Sequence, residues 1–543
     1  MMTRQERWLG ITGSAIALAA ILAFMAAALL ALLVSQSASP SGTIITSYTW
    51  RILQFTLLQA VLSTVLSVVV AIPVALALAR RPNFPLRVWI LRLMALPMGL
   101  PVLVVALGLI AVWGRQGVAN SLLMTLGLSE PISIYGLSGI LLAHVFFNLP
   151  LACRLMVSAL ERLPGEYWKL SGSLGMNAAS IFRFLEWPAI ARVLPGISGL
   201  VFMLCATSFT IVLVLGGGPA ATTLEVAIYQ SLRFDFDPAR AIALSLLQIS
   251  LTALILGLLG FIGSADPAGR NPTAPSPRFD GTSLIARLWD VGVILLSVIF
   301  LLLPLSAIIA DGLNADLGRL LTSSAFIEAA TNSAVIAISS ALLTLSFTTL
   351  IIRGRLAATD IGKAGAVAVS YRRLLGACSS LVLLVPPVVL GTGWFLLLRP
   401  LGDVAGFAPV LVIAINALMA FPFVIRVLEP AMETHYARTS RLVASLGLSG
   451  SWKLWHVDRP ILLKPIALAL SFAMALSLGD LGAIALFGSS DFITLPWLLY
   501  SRLSSYRTAD ADGLALILGM LCLLLTVAGT FDRRPDRSSR AAD

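Results

Sequence analysis

Charge is scarce in this sequence. Asp, Glu, Lys and Arg make up 12% of the 543 residues, against roughly 25% in an ordinary soluble domain. So little polar surface cannot coat a globule of this size, which excludes a water-soluble fold and makes lipid the solvent for most of the chain. Cysteine is nearly absent. Cys153, Cys205, Cys378 and Cys522 each sit in an apolar run with no CxxC spacing, which excludes a disulfide framework and a thiolate zinc site. The three histidines, His144, His435 and His456, are scattered, so no metal cluster is expected. No GxxxxGK[ST] run occurs, and with it goes the backbone cradle that would bind nucleotide phosphates.

What the chain does have is apolar length. Hydrophobic residues account for 58% of it, and apolar stretches near the ~20 residues needed to cross a bilayer recur from end to end. Hydropathy places them near 9–34, 52–79, 90–114, 132–155, 190–215, 240–263, 286–310, 327–352, 376–399, 406–428, 463–487 and 512–531. Long continuous runs are helices rather than barrel strands, which are short and alternating. The first follows Arg4 and Arg7, is too long for a signal peptide and lacks a clear cleavage site, so it reads as a retained helix. The net charge of +11 is explained by basic loops on one side of a membrane, with no need for a nucleic-acid partner. Most of the basic residues, including Arg80-Arg81, Arg353, Arg355, Arg372-Arg373 and Arg533-Arg534, fall on the side that carries both termini. The expectation is a multi-pass bacterial inner-membrane protein with both ends cytoplasmic.

The chain also repeats itself. Asn148-Leu-Pro150-Leu-Ala-Cys-Arg154 matches Ala420-Phe-Pro422-Phe-Val-Ile-Arg426, with the prolines 272 positions apart (422 − 150). Ser173-Leu-Gly175 and Ser445-Leu-Gly447, Pro188 and Pro460, and Gly216 and Gly488 keep that offset, while Thr223-Leu224 and Thr494-Leu495 shift by one. A Pro-rich run, 265–277, separates the copies and reads as a linker. The expected division is 1–264 and 285–532 as two six-helix halves, 265–284 as a cytoplasmic linker and 533–543 as a tail. Six is even, so the halves insert in parallel, related by an axis along the membrane normal across a central cleft.

The most regular part of the repeat lies in loops. Residues 166–188 and 439–460 each read as a short helix, a glycine break at Gly175 or Gly447, a second short amphipathic helix, and a proline, Pro188 or Pro460, opening the next span. A short surface helix offers a knob to a soluble partner, or it lies on lipid. Two copies at matched positions favour the partner.

These loops resemble the cytoplasmic signature of binding-protein-dependent ABC importer permeases, in which a glycine stands six residues after a glutamate and a proline thirteen after the glycine. Both copies keep the spacing; Lys169 and Arg441 stand where glutamate is usual. That departure bears on an acidic contact to the ATPase, not on the loop itself. Phe184-Leu-Glu-Trp-Pro188, Leu215-Gly-Gly-Gly-Pro219, Asp237-Pro-Ala-Arg240 and Ser477-Leu-Gly-Asp480-Leu-Gly-Ala-Ile-Ala-Leu-Phe-Gly488 look like the fused thiamine-transport permease family. The resemblance implies an all-α type I importer fold of about twelve transmembrane helices, a transport subunit that is not itself an enzyme, and thiamine with its phosphate esters as substrate. It also implies a periplasmic thiamine-binding protein and two copies of an ABC ATPase subunit, which would hold the ATP and magnesium; no cofactor is expected on this chain.

On that resemblance, Lys169, Gly175, Phe182, Pro188, Arg441, Gly447, Leu454 and Pro460 are the candidate coupling residues. Asp480, an ionisable group inside a span, is a candidate pathway residue for a cationic substrate; it equally suits a helix cap or an internal arginine partner. Phe209, Trp394 and Phe395 could stack on the substrate rings or simply pack. Pro97, Pro101, Pro386 and Pro387, with nearby Gly108, Gly391 and Gly393, suggest kinked spans lining the pathway or, equally, close helix-packing sites. A fused ferric-iron permease shares all of this architecture. A secondary transporter or an intramembrane enzyme does not explain the paired loops.

Overall fold

The computed structural model describes residues 3–38, 46–127, 129–262, 278, 283–361, 365–402, 404–448, 450–488 and 492–530. The principal helices of the first half are α1 (Arg4–Ala38), α2 (Ser47–Arg80), α3 (Val102–Trp113), α4 (Leu137–Leu160), α5 (Gly165–Ser173), α6 (Trp187–Ala206), α7 (Thr210–Leu215), α8 (Leu224–Arg233) and α9 (Pro238–Ile262). The second half continues with α10 (Leu284–Asn314), α11 (Ser324–Ile361), α12 (Ala366–Leu384), α13 (Pro387–Leu398), α14 (Val404–Ser445), α15 (Arg459–Gly479), α16 (Gly482–Phe487), α17 (Leu495–Ser504) and α18 (Thr508–Thr530). Of the expected linker 265–284, only Arg278, Ser283 and Leu284 are among the described residues; the expected tail 533–543 lies outside them.

The protein is an all-α, multi-pass membrane protein. Eleven helices among the described residues are long and apolar enough to cross a bilayer, as expected where lipid offers the backbone no other hydrogen-bond partner. The expected ninth span, 376–399, is instead two helices. Pro386 is extended (φ −61°, ψ 155°) and Pro387 has no N–H to donate, so α12 stops at Leu384 and the shorter α13 starts afresh. Pro101 (ψ 133°) opens α3 in the same way, interrupting the expected third span. The expected fifth and eleventh spans, 190–215 and 463–487, are also broken: α6 gives way to α7 after Ala206, and α15 to α16 after Gly479.

The chain folds into two compact units that do not coincide with the two sequence halves. The first unit holds 43–227 and 250–315; the second holds 1–42, 228–249 and 316–543. In the first unit α2 packs along α4 and α6, and α10 packs on α3 and α2. In the second, α11 packs along α14 and α15, and α1 runs along α11 and α13. Each unit therefore takes the leading helix of the other half's sequence.

A glycine makes each of these lead-helix contacts possible. A Cβ on Gly108 of α3 would lie 2.6 Å from the Pro304 carbonyl oxygen of α10, and one on Gly393 of α13 would lie 2.4 Å from that of Ala28 in α1. Small residues at such crossings let backbones meet, which is how helices associate in lipid. Alanine at Gly393 is expected to cost about 1–3 kcal/mol through overpacking, seen as a lower Tm of the detergent-solubilised protein. Alanine at Gly257, which has open space around it, should leave Tm unchanged; an unchanged Tm for Gly393→Ala as well would remove the close crossing from the account.

Buried polar side chains pin the interior of each unit. In the first, the Gln59 amide donates to the Cys205 carbonyl (2.9 Å) and Ser63 pairs with His144 Nδ1 (2.8 Å). In the second, the Asn416 amide donates to Ser477 Oγ (2.9 Å) and Thr344 to the Ala417 carbonyl (3.0 Å). Bonds of this kind between helices in lipid contribute on the order of 0.6 kcal/mol each. All four cysteines are buried and free.

Candidate functional site

The two repeated loops close with the same backbone motif. Gly175 has φ +61° and Gly447 φ +62°. In the first loop the Met176 N–H reaches the Ser171 carbonyl (3.0 Å) and the Gly175 N–H that of Gly172 (3.1 Å); in the second, Leu448 reaches Val443 (3.1 Å) and Gly447 reaches Ala444 (3.3 Å). This 6→1 and 5→2 pairing ends a helix on a left-handed residue, a conformation that glycine adopts at little cost. The helices it ends differ. Pro164 separates α5 from α4 in the first loop, whereas Tyr436 stands at the matching position of the second, and α14 runs through without a stop to Ser445. The expected separate short helix thus exists only in the first loop.

Beyond each glycine, a short helix passes into a π-turn, Phe182–Glu186 or Leu454–Asp458, and then directly into α6 or α15. Pro188 and Pro460 occupy the second position of those helices. A proline inside a continuous helix cannot donate to the carbonyl four residues earlier and crowds it. The wider turn just before each proline accommodates that defect.

An acidic residue closes both π-turns, Glu186 and Asp458, again 272 positions apart (458 − 186). Glu186 is completely buried and takes Arg278 Nη2 on Oε1 (2.5 Å) and Arg80 Nη2 on Oε2 (3.5 Å). Arg80 and Arg81 also hold the buried Asp290 of α10 at 3.3 and 3.1 Å. The Arg278 guanidinium lies 3.8 Å from the ring centre of Trp168 on α5. Asp458 pairs with His435 Nε2 at 2.8 Å, and Lys453 pairs with Glu6 of α1 at 2.8 Å. Each loop is thereby anchored on its inner side.

The outer side of each loop is apolar and basic. Lys169, Leu170, Leu174 (67% exposed) and Phe184 face outward on the first; Arg441, Leu442, Leu446 (62%), Trp452, Leu454 and Trp455 do so on the second. Phe182 is half-buried against Trp187, with ring centres 6.0 Å apart. Large exposed apolar patches mark protein–protein or membrane interaction sites.

The breaks at α6/α7 and α15/α16 match across the repeat. The Gly216 N–H bonds the Val212 carbonyl and the Gly488 N–H that of Ile484 as each short helix ends. Asp480 sits in the second break. Its Oδ1 accepts from the Gly482 N–H and its Oδ2 from the Ala483 N–H, both at 3.2 Å, so it caps α16. Phe209 is buried at the start of α7 in the first unit. Trp394, in the second unit, stacks on Phe24 of α1 at 4.8 Å and 29°.

Residues 71–265, which include the first loop and the α6/α7 break, match the family described as binding-protein-dependent transport system inner membrane component. A Brucella suis thiamine transport system permease protein, ThiP, is 46% identical over 94% of this chain and 93% of its own length. The chain belongs to the ThiP family of permeases. The Escherichia coli member is 43% identical over 88% of both chains, and the Haemophilus influenzae member 35% identical over the same share. As a ThiP-family permease, the protein is a fused transport subunit spanning both sequence halves.

Sequence reasoning about this ThiP-family chain located the loop glycines and prolines but not their anchors. Glu186 and Asp458 share the 272-residue offset and each stands two residues before a repeated proline, a signal that was readable. Arg278 and Asp290 gave none, because no motif links them to the loop they hold. Asp480→Asn should keep the α16 cap, since asparagine caps as well as aspartate, while Asp480→Ala should lose about 1 kcal/mol. Substrate uptake by the two variants checks this: a loss with asparagine equal to that with alanine would assign a role to the charge itself.

Proposed function

We propose that this chain is the translocation subunit of an importer that moves thiamine and its phosphate esters into the cytoplasm, driven by two copies of a separate ATPase subunit. The ATPases, with their ATP and magnesium, would dock on the two loops around 166–183 and 438–455, which requires both termini to be cytoplasmic. A periplasmic thiamine-binding protein would deliver the substrate to the opposite face. The observation that carries this reading is the doubled loop: one glycine-terminated motif, anchored inside by ion pairs, exposing apolar and basic side chains in both copies. The relatives' thiamine transport supplies the substrate.

In this mechanism the outward residues Lys169, Leu170, Arg441 and Leu442 contact the ATPases. Gly175 and Gly447 set the angle of the contact. The π-turns pass movement into α6 and α15, whose breaks at 207–209 and 480–481 divide the helix that the loop pushes from the short helix beyond it. A two-state coupling of this sort needs rigid elements with two arrangements, and a helix continuous with its loop is such an element.

The test is uptake of labelled thiamine into proteoliposomes holding the permease and its ATPase, with loaded binding protein outside and ATP inside. Uptake that requires every component and is competed by thiamine pyrophosphate supports the reading. An assembled complex that hydrolyses ATP yet moves no thiamine would discard the substrate, and ferric iron is then the next cargo to offer.

A further inference from the structure

We propose that Glu6, in the first turn of α1, and Arg278, ahead of α10, are positioning residues that hold the two coupling loops in register with the membrane helices. The proposal rests on the reading of those loops as ATPase docking sites.

The geometry is doubled, although the residue types are not. In the first unit, Arg278 stands six residues before α10 and lies between two parts of the loop (284 − 278). Its guanidinium covers Trp168 of α5 and bonds Glu186 of the π-turn, and its side chain is 6% exposed. The helix that follows adds Asp290, completely buried, held by Arg80 and Arg81 at the end of α2. In the second unit, Glu6 lies in the first turn of α1 and pairs with Lys453, the residue immediately before the second π-turn. Each loop is thus tied at or near the start of the transmembrane helix that packs in its own unit, the helix supplied by the other half of the sequence.

Such a tie has a physical use. A loop pushed by an ATPase moves its transmembrane helix only if the loop does not yield first. Arginine suits the first tie because its planar group stacks on an aromatic face while bonding a carboxylate at its edge, which lysine cannot reproduce. The partly exposed Glu6–Lys453 pair contributes little to folding, so its value lies in position rather than stability. It is also the pair that can be reversed without burying a new charge.

The test uses the full complex in proteoliposomes, reading thiamine taken up per ATP hydrolysed, and the stimulation of ATPase by loaded binding protein. Glu6→Lys, outside both loops, is expected to lower uptake per ATP by roughly 5-fold or more, the lower end of measured coupling effects, with basal hydrolysis retained, and Lys453→Glu should lower the same ratio. The double reversal should restore it. Arg278→Lys, which keeps the charge and permits folding, should lower the same ratio, while alanine at the exposed Arg287 should not. A structural role alone would change abundance and scale basal and stimulated hydrolysis together. Uptake per ATP equal to wild type in Lys453→Glu and Arg278→Lys overturns the proposal. A wild-type chain that neither binds nor stimulates the ATPase overturns the docking reading on which it stands.

Discussion

Valine at Gly447 is expected to reduce uptake about tenfold or more while leaving the protein abundant in the membrane and its partner's basal ATP hydrolysis intact. No neighbouring atom would touch the added Cβ, so packing is not the reason. The reason is the backbone: φ is +62°, and a left-handed residue with a side chain costs roughly 1–2 kcal/mol, more when it is β-branched. About 1.4 kcal/mol is a factor of ten. To relieve the strain the turn gives up the Leu448-to-Val443 and Gly447-to-Ala444 bonds, and the exposed residues on either side lose their fixed angle. Asparagine, which tolerates this region, should retain most of the uptake. Reconstituted uptake and hydrolysis assays check both variants, and normal uptake by the valine protein would take the turn out of the mechanism. The same substitution at Gly175 should behave alike, since the turn is the same.

Removal of the Glu186 carboxylate should have the largest effect on folding. Glu186→Ala leaves the side chains of Arg278 and Arg80, which are 6% and 15% exposed, without the charge between them. Taking away one partner of a buried pair typically costs about 3–5 kcal/mol because the other charge stays buried. The expected result is a marked drop in Tm and in recovered protein, measured by thermal unfolding in detergent. Asp458→Ala should cost less, because Asp458 is 15% exposed and a single histidine faces it. A Glu186→Ala protein as stable as wild type would mean that Asp290, which also holds Arg80, and the remaining contacts of Arg278 suffice, and Glu186 would then not be what anchors the loop.

Much of the candidate site was legible in the sequence because it depends on local backbone chemistry. A glycine needed for a left-handed turn and a proline at a helix start act within a few residues of themselves, so Gly175, Gly447, Pro188 and Pro460 announce their roles wherever the rest of the chain goes. Their regular spacing survives in both copies for the same reason. Asp480 was ambiguous in the sequence because a buried carboxylate can cap, pair or bind. The structure gives its two oxygens to the N–H groups of Gly482 and Ala483, and a capping role of this kind is set by where a helix restarts, which hydropathy does not register. Hydropathy does not mark the breaks at 207–209 and 480–481 for that reason: the residues on both sides are equally apolar, and a window average passes over the interruption.

The sequence by itself determined the solvent, the all-helical class and the repeat. Too little charge for water, apolar runs of bilayer length and a near-constant offset of 272 residues leave a doubled set of helices in a membrane. The tertiary structure decided which helices share a unit and what holds the loops. Hydropathy is the same for every lipid-facing helix, so it cannot say that α1 packs with the second half and α10 with the first. That choice is made by close contacts such as Gly393 on Ala28 and Gly108 on Pro304. The ion pairs of Glu6, Arg278 and Glu186 follow from it, since they join residues far apart in the chain that meet only after the leading helices have found their places.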